Sequence, residues 1–161
     1  MTNIVIVFIH LSAAGIALGS LIYGLLLLLP AIKKIEADND LPAEETAEYK
    51  LMEILMPTVF VCLLTLVGSG IYFLMENYAD QVNLKPGYYN LFGVKMIFVL
   101  GAFFASLYTT FFLRTSIANL DITPENRERV PEVLKKMQGY STFCLTLIVF
   151  AVFFGIWLAR F

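Results

Sequence analysis

The chain has few of the residues that usually carry charge or chemistry. Its 161 residues include one histidine, two cysteines and one tryptophan, and only 15% are charged. The 11 basic and 13 acidic residues nearly balance, and no basic stripe alternates with aromatics, so nothing points to a nucleic-acid partner. With one histidine and no paired cysteines, a closed tetrahedral zinc site is hard to assemble. We find no phosphate-binding glycine loop, nucleophile elbow or pair of catalytic carboxylates.

Long apolar runs are what the chain has instead. Hydrophobic residues make up 59% of it, and its mean hydropathy is +0.78. Four runs, at residues 4–30, 53–75, 94–114 and 141–159, reach the length that crosses a bilayer as a helix. The first has no basic leader and no small-residue cleavage site, so we expect it to stay as a helix. The sequence predicts an all-α fold, an integral membrane four-helix bundle that forms a single domain over residues 1–161.

The cationic residues are distributed unevenly between the segments that join these runs. Short segments rich in lysine and arginine remain in the cytoplasm. The first joining segment carries Lys33, Lys34 and Lys50, the third carries Arg114, Arg127, Arg129, Lys135 and Lys136, and the second carries only Lys85. We therefore expect both termini to face outward (N-out, C-out) from the inner, cytoplasmic membrane of a prokaryotic-type cell.

The third joining segment has its own helical signal. Thr123-Pro124-Glu125 is typical of a helix start, with a cap residue, a proline and then an acid. Val130, Val133, Leu134 and Met137 follow at helical spacing. We expect this segment to lie along the cytoplasmic membrane face, as a helical linker or as a docking surface.

The two cysteines, Cys62 and Cys144, fall inside predicted spans. Counted along the helices from the cytoplasmic ends, they differ in depth by about 9 Å. Because a disulfide needs Cα atoms closer than about 7 Å, we expect both to pack as apolar residues.

His10 is the first candidate for a functional residue, because an ionisable side chain inside a membrane span is costly to keep there. Gly15 and Gly19 of the same span form a GxxxG pair, which allows a neighbouring helix to approach closely. Other small residues share the face of His10, namely Ala13, Ala14, Ala17 and Gly24. The resulting groove could accept either another helix or a flat prosthetic group.

Lys95 lies near the outer end of the third span, at a depth similar to that of His10, which is about 9 Å from the outer end of its own span. A neutral imidazole is a good ligand for haem iron, and haem carboxylates need cations near the interface. Lys95 and Arg160 are placed to supply them. Lys95 could instead be a second ligand or transfer a proton, and either cation could simply extend to the lipid headgroups.

Copper is an alternative cofactor, since thioether sulfur suits Cu(I). Four of the six methionines, Met52, Met56, Met75 and Met96, lie in or near the second and third spans, without a dense repeat. Methionine as an apolar core residue is the simpler interpretation.

Gly68, Ser69 and Gly70 reduce the side-chain bulk of the second span, which indicates either a kink with tight packing or room for a bulky group.

Three stretches together suggest a family. They are FIHLSAAGIALGSLIYGLLLLLP, ILMPTVFVCLLTLVGSGIYFL and NLFGVKMIFVL. A fourth stretch, GYSTFCLTLIVFAVFFGIWL, has a weaker resemblance. With these stretches the chain resembles the HemJ-type protoporphyrinogen oxidases and the related CopD-like membrane proteins. The resemblance implies that His10 binds haem b, that Lys95 is essential for function and that Pro57 opens the second helix. The chain departs from the oxidase pattern at Gly93, where that family usually has a histidine, and at Ala31, where it tends to have an arginine.

The favoured hypothesis is a haem b-binding redox protein in which His10 is the axial metal ligand, with Lys95 and Arg160 also binding the cofactor and Lys95 in any catalytic role. It would transfer electrons to a redox partner protein or, as an oxidoreductase of the protoporphyrinogen oxidase type, oxidise a porphyrinogen. Two alternatives stay open: a copper-handling membrane protein, and a non-catalytic subunit of a larger complex. The small-residue faces are compatible with a homo-oligomer as well as with a complex of different chains.

Overall fold

A computed structural model describes residues 2–38, 47–79, 87–113, 115 and 129–160 of the chain. Regular structure within these ranges is helical throughout. The helices are α1 (Thr2–Tyr23), α2 (Leu29–Asp38), α3 (Ala47–Ala79), α4 (Tyr88–Leu107) and α5 (Val130–Leu158). A π-helical segment, Gly24–Leu28, joins α1 to α2, and a second, Tyr108–Leu113, extends α4. The described chain therefore forms four long helical rods. The first consists of α1, the segment Gly24–Leu28 and α2, the second of α3, the third of α4 with Tyr108–Leu113, and the fourth of α5 with the turn that follows it.

Each rod contains a stretch long and apolar enough to cross a membrane: Ile4–Lys34, Ala47–Glu76, Tyr88–Leu113 and Val130–Leu158. This confirms the all-helical fold and the four candidate spans. The helices α3, α4 and α5 begin before the predicted apolar runs at residues 53, 94 and 141, because the residues ahead of those runs continue the same helix. Gly87, with φ of 95°, precedes α4 in a left-handed conformation that glycine adopts without strain.

The bundle has two buried clusters, one toward each end. The small-residue cluster lies nearer the end that holds Ile4 and Leu158, which we call the terminal end. It is built around Ala13, Ala17, Ala102, Ala105 and Ala151, with Leu63 and Ile148 between them. The methionine cluster lies toward the other end and contains Met52, Met56 and Met137 with Leu29, Ile32 and Leu134. Alanine side chains let the helices approach closely near the terminal end.

Close contacts between rods occur at glycines other than the predicted pair. A Cβ added at Gly24 would lie 3.0 Å from Leu55 Cδ2, and one at Gly101 would lie 3.1 Å from Leu147 Cδ1. By contrast, a Cβ at Gly15 or Gly19 would meet no atom within 4 Å. Within the described chain, then, no helix packs against the GxxxG pair.

Aromatic stacking accompanies the extensive packing of α4 on α5. The ring of Phe98 lies 5.5 Å from the ring of Phe150 and 5.5 Å from that of Phe154. Offset aromatic pairs at this distance each contribute about 0.5–1.5 kcal/mol beyond the area they bury.

The two cysteines are buried and free, and Cys144 Sγ donates to the carbonyl of Ala102 at 3.4 Å. This agrees with the prediction that neither forms a disulfide.

The expectation of a surface helix at residues 130–137 is wrong. These residues are the first turns of α5, which continues without a break to Leu158. Val130, Leu134 and Met137 are at most 1% exposed and belong to the methionine cluster. These residues continue the buried face of α5. Packing against the other rods buries their apolar side chains more completely than the membrane surface would. The predicted helix start at Thr123-Pro124-Glu125 lies outside the described residues.

Candidate functional site

A cavity of about 440 Å³ lies toward the terminal end of the bundle, and all four rods line it. Its lining side chains are apolar apart from those of His10 and Lys95. The lining residues are His10, Leu11, Ala14, Gly15 and Leu18 of α1, Leu63, Leu66 and Gly70 of α3, Phe92, Lys95, Met96 and Val99 of α4, and Ile148, Ala151, Val152, Gly155, Ile156 and Ala159 of the fourth rod. This volume is within the range of small-molecule and cofactor sites.

The His10 imidazole is half-buried and is tied to α3 by one short hydrogen bond. Its Nδ1 lies 2.7 Å from Ser69 Oγ. The same Ser69 hydroxyl donates to the carbonyl of Thr65 at 2.6 Å and approaches that of Leu66 at 3.2 Å. A hydroxyl has one proton, which it can give either to a carbonyl of its own helix or to Nδ1 of His10.

We infer that the Ser69 proton is directed to Thr65 and that Ser69 Oγ accepts from the imidazole, and in that arrangement Nδ1 of His10 is the protonated nitrogen. In the neutral ring, Nε2 then carries the lone pair. The ring of Phe73 meets the imidazole edge-on, with centroids 6.3 Å apart and an angle of 81°. Ser69 and Phe73 thus fix the orientation of the ring, and Nε2 is the nitrogen with which His10 can bind a ligand in the cavity.

Lys95 reaches across the cavity from α4 to α5. A Cβ added at Gly155 would lie 3.3 Å from Lys95 Nζ and 3.5 Å from its Cε, so the absence of a side chain at Gly155 makes room for the lysine. Among the residues that the structure describes, the half-buried ammonium has no acidic or hydrogen-bonding partner. A cation in apolar surroundings favours an anionic ligand, because nearby negative charge offsets the loss of water.

The structure thus brings His10 and Lys95 to one cavity, but not the third predicted residue. Arg160 is exposed in the turn that follows α5 and does not line the cavity, although its neighbour Ala159 does. Met75, one of the methionines considered for copper, and Trp157 lie at the surface of the bundle with exposed fractions of 67% and 48%.

Sequence reasoning missed the roles of Ser69 and Gly155 in this site and named Met96 only as one of four candidate copper ligands. Ser69 was predicted only to thin the second span, yet it orients His10. Met96 lines the cavity, and its Sδ lies 3.4 Å from the position of a Gly70 Cβ. Gly155 had no predicted role. No local motif marks any of them, because their function depends on which helix faces them.

Haem b, one of the cofactors considered, is compatible with the chemistry of these residues. Groups of three or more histidine, cysteine or acidic side chains that could hold a metal ion do not occur in the described part of the chain. Haem needs no such group, since its macrocycle supplies four nitrogens and the protein adds an axial ligand such as histidine. The apolar walls suit the macrocycle, and the Lys95 ammonium suits its carboxylates.

The chain matches no protein-family model, no curated protein and no solved structure. Inference about its function therefore depends on the cavity and on the residues that line it.

Proposed function

We propose that the chain is a haem b-binding redox protein of a membrane. The observation that carries the proposal is the hydrogen bond between His10 Nδ1 and Ser69 Oγ, which leaves Nε2 as the ring nitrogen available to a ligand at an apolar cavity. Bound haem would supply one-electron chemistry at its iron.

Each residue of the site has a defined part in this proposal. His10 Nε2 would hold the iron, and Ser69 would keep the imidazole in the correct tautomer and orientation. The Lys95 ammonium would bind a haem carboxylate, with Gly155 leaving space for it. Met96 offers a soft thioether on α4 as a second ligand. The apolar walls would exclude water and so help to set the reduction potential.

Two kinds of redox activity are compatible with such a site: electron transfer to a partner protein, and oxidation of a porphyrinogen. The resemblance to HemJ-type and CopD-like proteins favours the second, and the shared cavity of His10 and Lys95 supports it. Arg160 would act only at the rim, on carboxylates that reach beyond the end of α5.

We further propose that both termini lie outside the inner membrane of a prokaryotic-type cell. The support is the excess of lysine and arginine in the first and third joining segments. Alkaline phosphatase fused after Phe161 should be active, and a cytoplasm-dependent fluorescent protein fused at the same residue should be dark. The opposite pair of results would reverse the orientation.

The optical spectrum of the detergent-purified chain tests the cofactor. We expect a Soret band that shifts on reduction with dithionite, and about one haem per chain. Colourless protein from cells that are replete in haem would contradict the proposal. Colourless protein that co-purifies with stoichiometric partners would instead favour a non-catalytic subunit.

Copper handling is a second candidate, because Met96 lines the same cavity as His10. An imidazole nitrogen and a thioether sulfur are both ligands of Cu(I). The other methionines do not extend this pair, since Met52 and Met56 belong to the methionine cluster and Met75 is exposed. Bound copper that disappears in both His10→Ala and Met96→Leu would favour this function over haem binding.

Replacing Ser69 with alanine should weaken haem binding about 10- to 100-fold, the usual cost of losing an outer-shell partner of a ligating histidine. The ring would lose the acceptor that fixes its Nδ1 proton. Thr58→Ala is the matched control, because Thr58 also donates to the carbonyl four residues earlier, that of Ile54, at 2.7 Å and has no imidazole partner. Haem titrations of both variants measure the difference, and equal affinities would contradict the role of Ser69.

A further inference from the structure

The cavity opens at the side of the bundle, and its opening can be located from the exposure of its lining residues. Those contributed by α3 and α4 are buried or half-buried. The exposed ones are Leu11 and Gly15 on α1 and Ile156 and Ala159 on the fourth rod. The opening therefore lies between the first and the fourth rod, and we call these four residues the lateral mouth.

The lateral mouth extends deep into the span. Gly15 lies 11 residues after Ile4, where the first span begins, which places it about 16 Å along the helix. The hydrocarbon core of a bilayer is about 30 Å thick, so Gly15 is near its middle. All four residues of the mouth are apolar, and Leu11 and Ile156 are 64% and 62% exposed. Ala159 lies just beyond Leu158, where the fourth span ends, so the mouth extends from the membrane surface to the depth of Gly15, where its apolar surface faces acyl chains rather than water.

Gly15 is the residue that keeps the mouth wide. It has no close neighbour in the described chain, because a Cβ there would meet no atom within 4 Å. A larger side chain at residue 15 would therefore stand in the opening without displacing a packed helix. The interior of the cavity defines the ligand that could pass: an apolar body to match the walls, an anionic group for Lys95 and a metal for His10 Nε2.

We propose that the cavity takes up its ligand from within the bilayer, through the lateral mouth, and that Gly15 sets the rate of this step. The proposal rests on the proposed function, in which the ligand is haem b dissolved in the membrane. It adds a route, and it assigns a role to an exposed glycine that no packing contact explains.

The test uses the full chain, purified without haem and reconstituted in phosphatidylcholine vesicles. Haem is supplied from a second population of phosphatidylcholine vesicles, and the Soret band is followed over time. Gly15→Leu should take up haem at least tenfold more slowly than the wild type and reach the same final occupancy. Gly19→Leu is the matched control, because residue 19 is equally open but does not line the cavity, and it should behave as the wild type does.

The opposite wall provides a second pair of variants if Gly15→Leu does not fold, as judged by circular dichroism and gel filtration. Ile156→Trp should slow uptake, whereas Phe153→Trp, at an exposed residue of α5 outside the cavity, should not. Wild-type rates in both mouth variants would overturn the route. An unchanged rate with lower final occupancy would also overturn it, since the residue would then belong to the binding space. Absence of uptake by the wild type would overturn the proposed function itself and the route with it.

Discussion

Replacing His10 with glycine is expected to remove nearly all bound haem. In our proposal the imidazole would hold the iron, and its loss should weaken binding by about 100-fold or more, since even an outer-shell partner is worth about 10- to 100-fold. The measurement is the ratio of Soret to protein absorbance after purification. Addition of free imidazole should restore the band, because the small molecule can occupy the space left by the ring and present the same nitrogen to the iron.

Ile9→Gly is the control for this substitution. It places the same helix-weakening glycine next to His10, at an exposed residue that does not line the cavity. We expect it to retain haem. If Ile9→Gly loses as much haem as His10→Gly, or if imidazole restores nothing, His10 is a packing residue and its assignment as the iron ligand is contradicted.

Replacing Lys95 with methionine should weaken haem binding about 10- to 100-fold. This follows from the loss of one hydrogen bond to a charged group, worth about 1.5–3 kcal/mol, at about 1.4 kcal/mol per tenfold. Methionine keeps most of the length and apolar volume of the side chain, so the change acts mainly on charge. Haem dimethyl ester, which has no free carboxylate, separates the roles considered for Lys95.

The wild type should bind haem more tightly than its dimethyl ester, and Lys95→Met should bind the two alike. Lys95→Arg, which keeps the charge, should keep part of the preference. If Lys95→Met weakens haem and the ester to the same extent, Lys95 acts as an iron ligand or a structural residue and does not bind a carboxylate.

The helical fold could be predicted from the sequence because the length of an apolar run can be compared directly with the thickness of a bilayer. The extents of the helices were less accessible, since polar residues continue a helix beyond the membrane without changing the hydropathy signal. Residues 130–137 show this most clearly. Their helical spacing was recognised, but the same spacing suits a membrane surface and a bundle interior, and only the position of the other rods decides between them.

The candidate site could be predicted in depth but not in direction. A rise of about 1.5 Å per residue places His10 and Lys95 at a common level, and the structure brings both to one cavity. The direction around each helix axis is hidden, because lipid-facing side chains are as apolar as buried ones. Met75 and Met96 illustrate the difference: both were candidates by residue type, yet one is exposed and the other lines the cavity. Ser69 was missed for the same reason.

The single histidine of the chain permits one decisive measurement on the central claim. Histidine labelled with ¹⁵N at both ring positions gives only the signals of His10 in solid-state NMR spectra of the protein in bilayers. Without haem, we predict a protonated Nδ1 and an unprotonated Nε2, and haem should act most strongly on the Nε2 signal. A protonated Nε2, or an imidazole whose two signals are unchanged by saturating haem, would contradict the account.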